Sequence, residues 1–422
     1  MNEFIGARIG DAHSSGADGA GRIDRLFRRL IIGGLRGMRG GQIVFEDALG
    51  AVTVGGGASD ERSLRVVVRV RELRAYRTIA VGGSVGAAES YMDGEWQCDD
   101  LLSLVRLLVR NRDLLDGMER GLARLSGWAL RGWHAFRRNT RRGSRGNIAA
   151  HYDLGNEFFS LFLSADLMYS AALWDGADDS LERASLRKLD AVCRKLALKP
   201  TDRVVEIGTG WGGFAVHAAK HVGCHVTTAT ISREQFALAK ERVAQQGLND
   251  RVEVRLCDYR NLEGRFDKLV SIEMIEAVGA RYLETYFAKV TELLEPDGLA
   301  LIQAITIEDH RYEQALRAVD FIQRHVFPGS FIPSLQAILN AKSKVSDLAL
   351  VDAFDFGLSY ARTLAAWRER FHAQLPAVRA LGFDDRFIRL WDYYLAYCEG
   401  GFRERSVGVS HLLFSKPPGC PA

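Results

Sequence analysis

A glycine-rich turn between a short apolar strand and a helix constrains the fold of this 422-residue chain more than any other feature. A strand is predicted over 203–207, the turn reads Gly-Thr-Gly-Trp-Gly-Gly over 208–213, and a helix is predicted over 214–220. Glycines at the carboxyl end of a strand let the backbone approach a ligand closely. The spacing differs from the dinucleotide pattern G-x-G-x-x-G. A dinucleotide domain, or a turn without a ligand, therefore stays the alternative at this point.

Strands and helices continue to alternate after this turn. The strands are predicted over 225–230, 252–256, 266–272 and 299–305, with a polar helix over 233–246. This alternation predicts an α/β fold with a doubly wound, mostly parallel, Rossmann-like sheet. Its domain is expected over 141–422, with an insertion at about 306–360 that covers an apolar channel. The residues predicted to line this channel are Phe321, Ile322, Val326, Phe327, Phe331 and Ile332.

The first part of the chain predicts a smaller α+β domain over 1–140. Strands are predicted over 42–45 and 64–70, and glycine turns over 55–57 and 82–83. A helix is expected over 101–110, with Asp99 or Asp100 as its N-cap. The arginine- and glycine-rich stretch 141–146 is the predicted linker.

Positive charge is concentrated before the linker. Residues 106–145 contain eleven arginines and three acidic residues, with leucine, tryptophan and phenylalanine at near-helical spacing. This pattern predicts an amphipathic helix at an anionic membrane surface. A helical connector with solvated arginines is the alternative, and nucleic-acid binding is not expected because no nucleic-acid module accompanies the charge.

Other features restrict the compartment. No apolar run approaches the roughly 18 residues of a spanning helix, and the N-terminus has no signal-peptide pattern. The six cysteines are widely spaced and form no C-x-x-C pair, so we expect a reducing cytoplasm and no metal site. The sequence predicts a cytoplasmic protein peripheral at the inner face of the membrane, and leaves open whether it is a homodimer.

Polar residues near three strand ends resemble the layout of class I methyltransferases that bind S-adenosyl-L-methionine. Glu206 lies two residues before Gly208, Thr230 ends the second strand, and Asp258 follows the third. In that layout the glycines face the methionine moiety, the second strand end faces the ribose, and Asp258 faces the adenine. The full predicted set is Tyr169, Ser170, Glu206, Gly208, Gly210, Gly212, Thr230, Gln235, Asp258 and Tyr259.

Further motifs, in order over about 148–414, resemble the cyclopropane-fatty-acyl-phospholipid synthases and mycolic acid cyclopropane synthases. They are HYDLGNEFF at 151–159, MYS at 168–170, DYR at 258–260, MIEAVG at 274–279, FPG at 327–329 and YARTL at 360–364. The stretch 82–96 resembles the N-terminal domain of the phospholipid-acting members. The resemblance implies transfer of a one-carbon unit to the double bond of unsaturated phospholipid acyl chains.

The family removes a proton with a bicarbonate ion held by a Glu, a Tyr, a His and backbone near a Cys. The resemblance assigns Glu276 and Tyr360 to the Glu and Tyr, whereas Gln303 replaces the His and Ala171 the Cys. Ala277 replaces another common His. Cys398 matches a cysteine sometimes assigned as catalytic, although a thiol on an apolar helix also suits a core.

These departures leave several functions open. A methylene- or methyl-branched chain is the alternative product of the same methyl transfer. Methylation of a small soluble acceptor is the rival enzymatic function. A lipid-binding protein with a vestigial fold is the non-enzymatic rival.

Overall fold

The computed structural model describes residues 14–56, 63–119, 154–177 and 179–418. The chain forms two compact units, Met1–Ser126 and Gly127–Ala422. The predicted domain boundary at 140, the linker 141–146 and most of the arginine-rich segment lie outside the described residues.

The first unit contains a four-stranded sheet in the order β2-β1-β3-β4. The strands are β1 (Gly41–Asp47), β2 (Gly50–Val54), β3 (Leu64–Val70) and β4 (Trp96–Cys98). Its helices are Ser14–Gly34, Arg74–Met92, Leu101–Arg110 and Arg112–Glu119. The two predicted strands are confirmed in β1 and β3. The helix over 101–110 is also confirmed, and the carboxylate of Asp100 caps it by accepting from the backbone N of Ser103 at 3.0 Å.

The expected glycine turn at 82–83 is confirmed. The stretch Arg74–Met92 consists of two helices joined at a kink, where Gly83 has φ 57° and ψ −137°. Only glycine adopts this backbone conformation readily, so Gly83 changes the direction of the helix. A Cβ atom on Gly86 would lie 2.2 Å from the carbonyl oxygen of Thr78. The two helices therefore pack closely against each other beside the kink.

The second unit contains a seven-stranded sheet in the order β10-β11-β9-β8-β5-β6-β7. The strands are β5 (Arg203–Ile207), β6 (His225–Thr230), β7 (Val252–Leu256), β8 (Phe266–Ile272), β9 (Leu294–Ile307), β10 (Ala349–Asp355) and β11 (Val407–Ser415). Strands β5 to β9 pair in parallel, and β10 and β11 add an antiparallel edge. The doubly wound α/β prediction is confirmed, and so are its five strands.

Helices cover both faces of this sheet, which explains why its central strand β5 buries consecutive side chains on both faces. The helices are Asn156–Ser160, Leu181–Lys195, Gly213–His221, Arg233–Gln245, Leu283–Leu293, Asp309–Arg317, Leu335–Val345, Gly357–Ala373, Leu375–Ala380 and Asp385–Arg403. Val204 and Val226 pack in the core on one face, whereas Val205 and Ile207 pack on the other. Within the part of the chain that the structure describes, no helix combines the length and apolarity that crossing a membrane requires.

The interval 306–360, expected as an insertion, has a mixed structure. It contains two helices, a π-helical turn Ile322–Val326 and strand β10. Of the residues predicted to line a channel, Phe321 and Val326 are buried, and Phe331 packs in a core beside the sheet. The last part of the interval thus extends the sheet.

Candidate active site

The glycine-rich turn after β5 has the backbone geometry that the sequence requires. Gly208, Gly210 and Gly212 have φ angles of 101°, 52° and 84°, which L side chains rarely adopt. A Cβ atom on Gly212 would lie 3.3 Å from the Cβ of Ala239, whereas one on Gly210 would meet no atom of the described residues within 4 Å. Gly210 therefore borders open space, and Gly212 permits close packing of the turn.

The buried carboxyl group of Glu206 lies beside this turn. Its Oε2 atom accepts a hydrogen bond from the Thr228 hydroxyl at 2.6 Å, and that hydroxyl lies 2.7 Å from the Thr209 hydroxyl. Burial raises the pKa of Glu206 to about 8, although Thr228 and the charge of Lys188 lower it. Glu206 is thus a polar group kept dry at the carboxyl end of β5.

The other predicted cofactor residues follow β6 and β7. Thr230 and Gln235 are buried, and their side chains contact each other at 2.8 Å. The carboxylate of Asp258 accepts from Arg260 Nε at 2.8 Å and from its terminal nitrogen at 2.6 Å. The neighbouring Tyr259 is half-buried, and burial raises its pKa to about 12.

These residues fit S-adenosylmethionine. Polar groups stand at the carboxyl ends of three adjacent parallel strands, and the position of a Cβ on Gly210 is open beside them. Open α/β sheets bind nucleotide-like ligands at this edge. The structure brings the predicted cofactor residues of β5, β6 and β7 to one edge of the sheet.

Tyr169 and Ser170 lie on a segment that joins this edge of the sheet to a second group of residues, which surrounds the side chain of Glu273. The Tyr169 hydroxyl lies 2.8 Å from that of Tyr394, and its ring packs 5.3 Å from Trp367. Ser170 accepts a hydrogen bond from Nζ of the fully buried Lys188 at 3.0 Å. Burial lowers the pKa of Lys188 to about 8.

A carboxylate that the sequence reasoning did not single out stands in the second group. Glu273 directly follows β8 and has a left-handed φ of 47°. Its Oε1 accepts from the backbone N of Ala171 at 2.8 Å and from Gln303 Nε2 at 2.7 Å, and its Oε2 accepts from the Tyr360 hydroxyl at 2.8 Å. The predicted residues Gln303 and Tyr360 therefore meet on Glu273.

Glu276 stands apart from this group of hydrogen bonds. Its Oε1 accepts from the backbone N of Ile305 at 2.6 Å, and its buried Oε2 has no hydrogen-bond partner among the residues that the structure describes. Burial, together with repulsion from Glu273, raises the pKa of Glu276 to about 8. Glu276 is thus largely protonated at neutral pH.

Cys398 lies on the helix Asp385–Arg403, close enough to Tyr360 and Tyr394 to influence their pKa values. Burial, with the nearby charge of Asp320, raises the pKa of its thiol. A thiol in this state is a poor nucleophile. Its predicted catalytic role stays a prediction.

The same sequence signal that selects Asp258 could have found Glu273. Each is an acidic residue that directly or nearly follows a parallel strand, and the carboxyl ends of these strands share one edge. The family motif MIEAVG starts at Met274, one position after Glu273, so the motif does not include Glu273. Its hydrogen bonds are long-range contacts that no local pattern predicts.

The pH dependence of stability tests the buried state of Glu206. A carboxyl group whose folded-state pKa is about 8 binds more protons in the folded than in the unfolded state between about pH 5 and pH 8. Relative to Glu206→Gln, the wild type should therefore lose free energy of unfolding as the pH rises through this window. Urea denaturation of both proteins measures this difference. Because both proteins contain the same buried histidines, the contributions of these histidines to the pH dependence cancel. A constant difference would contradict the raised pKa.

The chain is similar to several known proteins. A family model described as mycolic acid cyclopropane synthetase matches residues 139–412. The tuberculostearic acid methyltransferase UfaA1 of Mycobacterium tuberculosis is 39% identical over 375 residues, which cover 86% of this chain and 86% of that protein. The cyclopropane-fatty-acyl-phospholipid synthase of Escherichia coli K12 is 38% identical over 351 residues, which cover 83% of this chain and 87% of that protein.

A solved structure shares the fold of the second unit. Mycolic acid cyclopropane synthase CmaA1, complexed with SAH and CTAB, superposes with a TM-score of 0.61 and 26% sequence identity. The match covers 64% of this chain and 98% of that one.

Proposed function

Because the chain belongs to the mycolic acid cyclopropane synthetase family and is an S-adenosylmethionine-dependent methyltransferase, we propose that it acts on membrane phospholipids. It adds a one-carbon unit to the double bond of an unsaturated acyl chain, which gives a cyclopropane fatty acid. The bound S-adenosylmethionine supplies an electrophilic methyl group. The protein must position the alkene, keep water out and remove one proton.

The extent of the similarity to the Escherichia coli phospholipid enzyme carries this proposal. Its 351 aligned residues are more than Gly127–Ala422 contains, so the alignment reaches into the first unit. The mycolic acid enzyme CmaA1 is covered over 98% of its length by only 64% of this chain. The first unit is therefore a feature shared with the phospholipid-acting relative, which supports a phospholipid substrate.

Aromatic side chains next to Glu273 suit the reacting alkene. The ring centroid of Trp367 lies 5.3 Å from that of Tyr169 and 6.1 Å from that of Tyr360, and the ring of Phe327 lies 6.2 Å from Tyr169. The faces of such rings attract a positive charge, and their apolar surfaces exclude water. This aromatic group would stabilise the cation that methyl transfer leaves on the acyl chain.

Incubation with lipid vesicles tests the proposed function. Purified protein, S-adenosylmethionine and vesicles of phosphatidylglycerol with cis-unsaturated chains should yield acyl chains heavier by one CH₂ group in mass spectrometry. Vesicles with fully saturated chains are the matched control and should stay unchanged. Methylation of a water-soluble acceptor without any change in the lipid would contradict the phospholipid assignment.

We also propose that the arginine-rich segment 106–145 binds an anionic membrane surface from the cytoplasmic side. Replacement of Arg137, Arg138, Arg141 and Arg142 by Gln should weaken binding to anionic vesicles by about 1 kcal/mol per residue near the surface. Added salt should weaken wild-type binding, because it screens the attraction. Vesicle sedimentation measures both effects. Binding that is insensitive to both changes would exclude the electrostatic contribution.

A methylene-branched product of the same methyl transfer is the second candidate. The similar protein UfaA1 is a tuberculostearic acid methyltransferase, and its sequence covers 86% of this chain. Both products begin with methyl transfer to the alkene and end with loss of a proton from the new methyl group. They differ in whether a hydride shift first moves the cation to the carbon that carries this methyl group. How soon a base removes the proton therefore determines the product.

A further inference from the structure

We propose that the carboxylate of Glu273 is the general base of this reaction and takes the place of the bicarbonate ion that the family resemblance implies. The inference rests on the proposed function, because it concerns the proton that leaves the new methyl group. In this proposal the proton is accepted by Glu273, a residue of the chain itself, and not by a bound bicarbonate ion.

Three hydrogen-bond donors surround the carboxylate of Glu273. The backbone N of Ala171, the side chain of Gln303 and the hydroxyl of Tyr360 lie at positions that the resemblance assigns to holding bicarbonate. All three donate to Glu273 instead, at 2.7–2.8 Å. A carboxylate and a bicarbonate ion present the same planar pair of oxygens. Donors arranged for one anion therefore hold the other equally well.

The backbone of Glu273 adopts a strained conformation. A left-handed φ of 47° strains the backbone of a residue that has a side chain. The hydrogen bond from the backbone N of Glu273 to the carbonyl oxygen of Gln303, at 2.8 Å, holds this conformation. Strain of this kind persists where the surroundings enforce it, and it concentrates at functional sites. Here it accompanies the placement of the carboxylate among its three donors.

The donors are themselves held in place. The backbone N of Ala172, next to Ala171, donates to the Thr363 hydroxyl at 3.1 Å. Gln303 Nε2 donates to Glu273, so its oxygen, 3.0 Å from Nε2 of the buried His411, must accept from that nitrogen. Nδ1 of His411 has no hydrogen-bond partner in the described part of the chain, and burial lowers the pKa of His411 to about 3. Neutral His411 thus fixes the orientation of the Gln303 amide.

Of the two neighbouring carboxyl groups, that of Glu273 is the base and that of Glu276 is the acid. Glu273 accepts three hydrogen bonds, and its Oε2 accepts only one of them, so this oxygen keeps room for a proton. Glu276 accepts one hydrogen bond from Ile305 and is the better place for a proton at neutral pH. Burial raises the pKa of Glu273 from its usual value, which strengthens it as a base near neutral pH.

The chemical step balances without any further reactant. After methyl transfer, one C–H bond of the new methyl group breaks, and its electron pair forms the second ring bond to the cationic carbon. The proton moves to Oε2 of Glu273. Its later release to water restores the carboxylate, so no external base is consumed.

Glu273→Gly provides the test, because glycine adopts a φ of 47° without strain and leaves the three donors free for an anion. In buffer free of carbon dioxide, the wild type should turn over at full rate, and Glu273→Gly should lose about 10²–10⁴-fold. Added bicarbonate should restore much of the activity of Glu273→Gly and leave the wild type unchanged. Asp297→Gly is the matched control, since exposed Asp297 also has a positive φ, of 59°, and lies outside the site.

Binding of ¹³C-labelled bicarbonate, measured by nuclear magnetic resonance, provides a readout that needs no turnover. Glu273→Gly should bind the ion, and the wild type and Asp297→Gly should not. Wild-type turnover that falls without bicarbonate and recovers with it would overturn the proposal, as would bicarbonate-independent activity of Glu273→Gly. If neither the wild type nor either variant methylates lipid, the proposed function is wrong. The binding measurement then still decides whether Glu273 occupies the anion position.

Discussion

Glu273→Gln should reduce turnover about 10²–10⁴-fold and leave S-adenosylmethionine affinity unchanged. The amide oxygen can still accept from Ala171 and Gln303, and the Tyr360 hydroxyl can rotate to accept from the amide nitrogen. The substitution therefore preserves shape and hydrogen bonding, and removes only the ability to accept a proton. Initial rates on unsaturated phospholipid vesicles, together with cofactor titration by calorimetry, measure the two effects separately.

Glu276→Gln is the matched comparison for this prediction. Because Glu276 is largely protonated at neutral pH, glutamine resembles its actual state, and the loss of turnover should be much smaller than for Glu273→Gln. The sequence alone favours the opposite order, since the family motif places the functional carboxyl group at Glu276. A larger loss in Glu276→Gln than in Glu273→Gln would return the role to Glu276.

Gly210→Val should abolish S-adenosylmethionine binding at concentrations that saturate the wild type. The Cβ atom would project into the open space beside the turn, and a branched residue tolerates a φ of 52° poorly. Calorimetric titration measures the affinity, and circular dichroism verifies the fold.

Gly247→Val separates the loss of binding from the backbone strain. Gly247 also has a positive φ, of 67°, and a Cβ there would likewise meet no atom within 4 Å. It lies just after the helix Arg233–Gln245, away from the glycine-rich turn. This variant should bind the cofactor normally. Equal loss in both variants would mean that strain, and not contact with the ligand, explains the effect.

The parallel part of the sheet could be predicted because its strands are short, apolar and separated by turn signals. Strands β5 to β8 match the predicted bounds, and β9 extends the predicted strand on both sides. The antiparallel edge could not. Strand β10 is almost wholly exposed and has no alternating pattern, and β11 follows a long helix. Only the pairing of β11 with β9, and of β10 with β11, defines these two strands.

The cofactor edge was predictable for a similar reason. Glu206, Thr230 and Asp258 stand at or next to strand ends, where sequence position nearly determines spatial position. The grouping of Ala171, Gln303 and Tyr360 was predictable only through the family resemblance, because these residues come from distant segments and meet only in the folded chain. Glu273 is the point at which they meet, and its positive φ is visible only in the structure.

The chemical environment of the transferred carbon tests the account most directly. Wild-type protein, S-adenosylmethionine labelled with ¹³C in its methyl group, and vesicles of cis-unsaturated phosphatidylglycerol should yield lipid whose label is a cyclopropane CH₂ bonded to both former alkene carbons. Nuclear magnetic resonance of the extracted lipid identifies that carbon. A label found as an exocyclic methylene group, or recovered only in a water-soluble acceptor, would contradict ring closure on a phospholipid acyl chain.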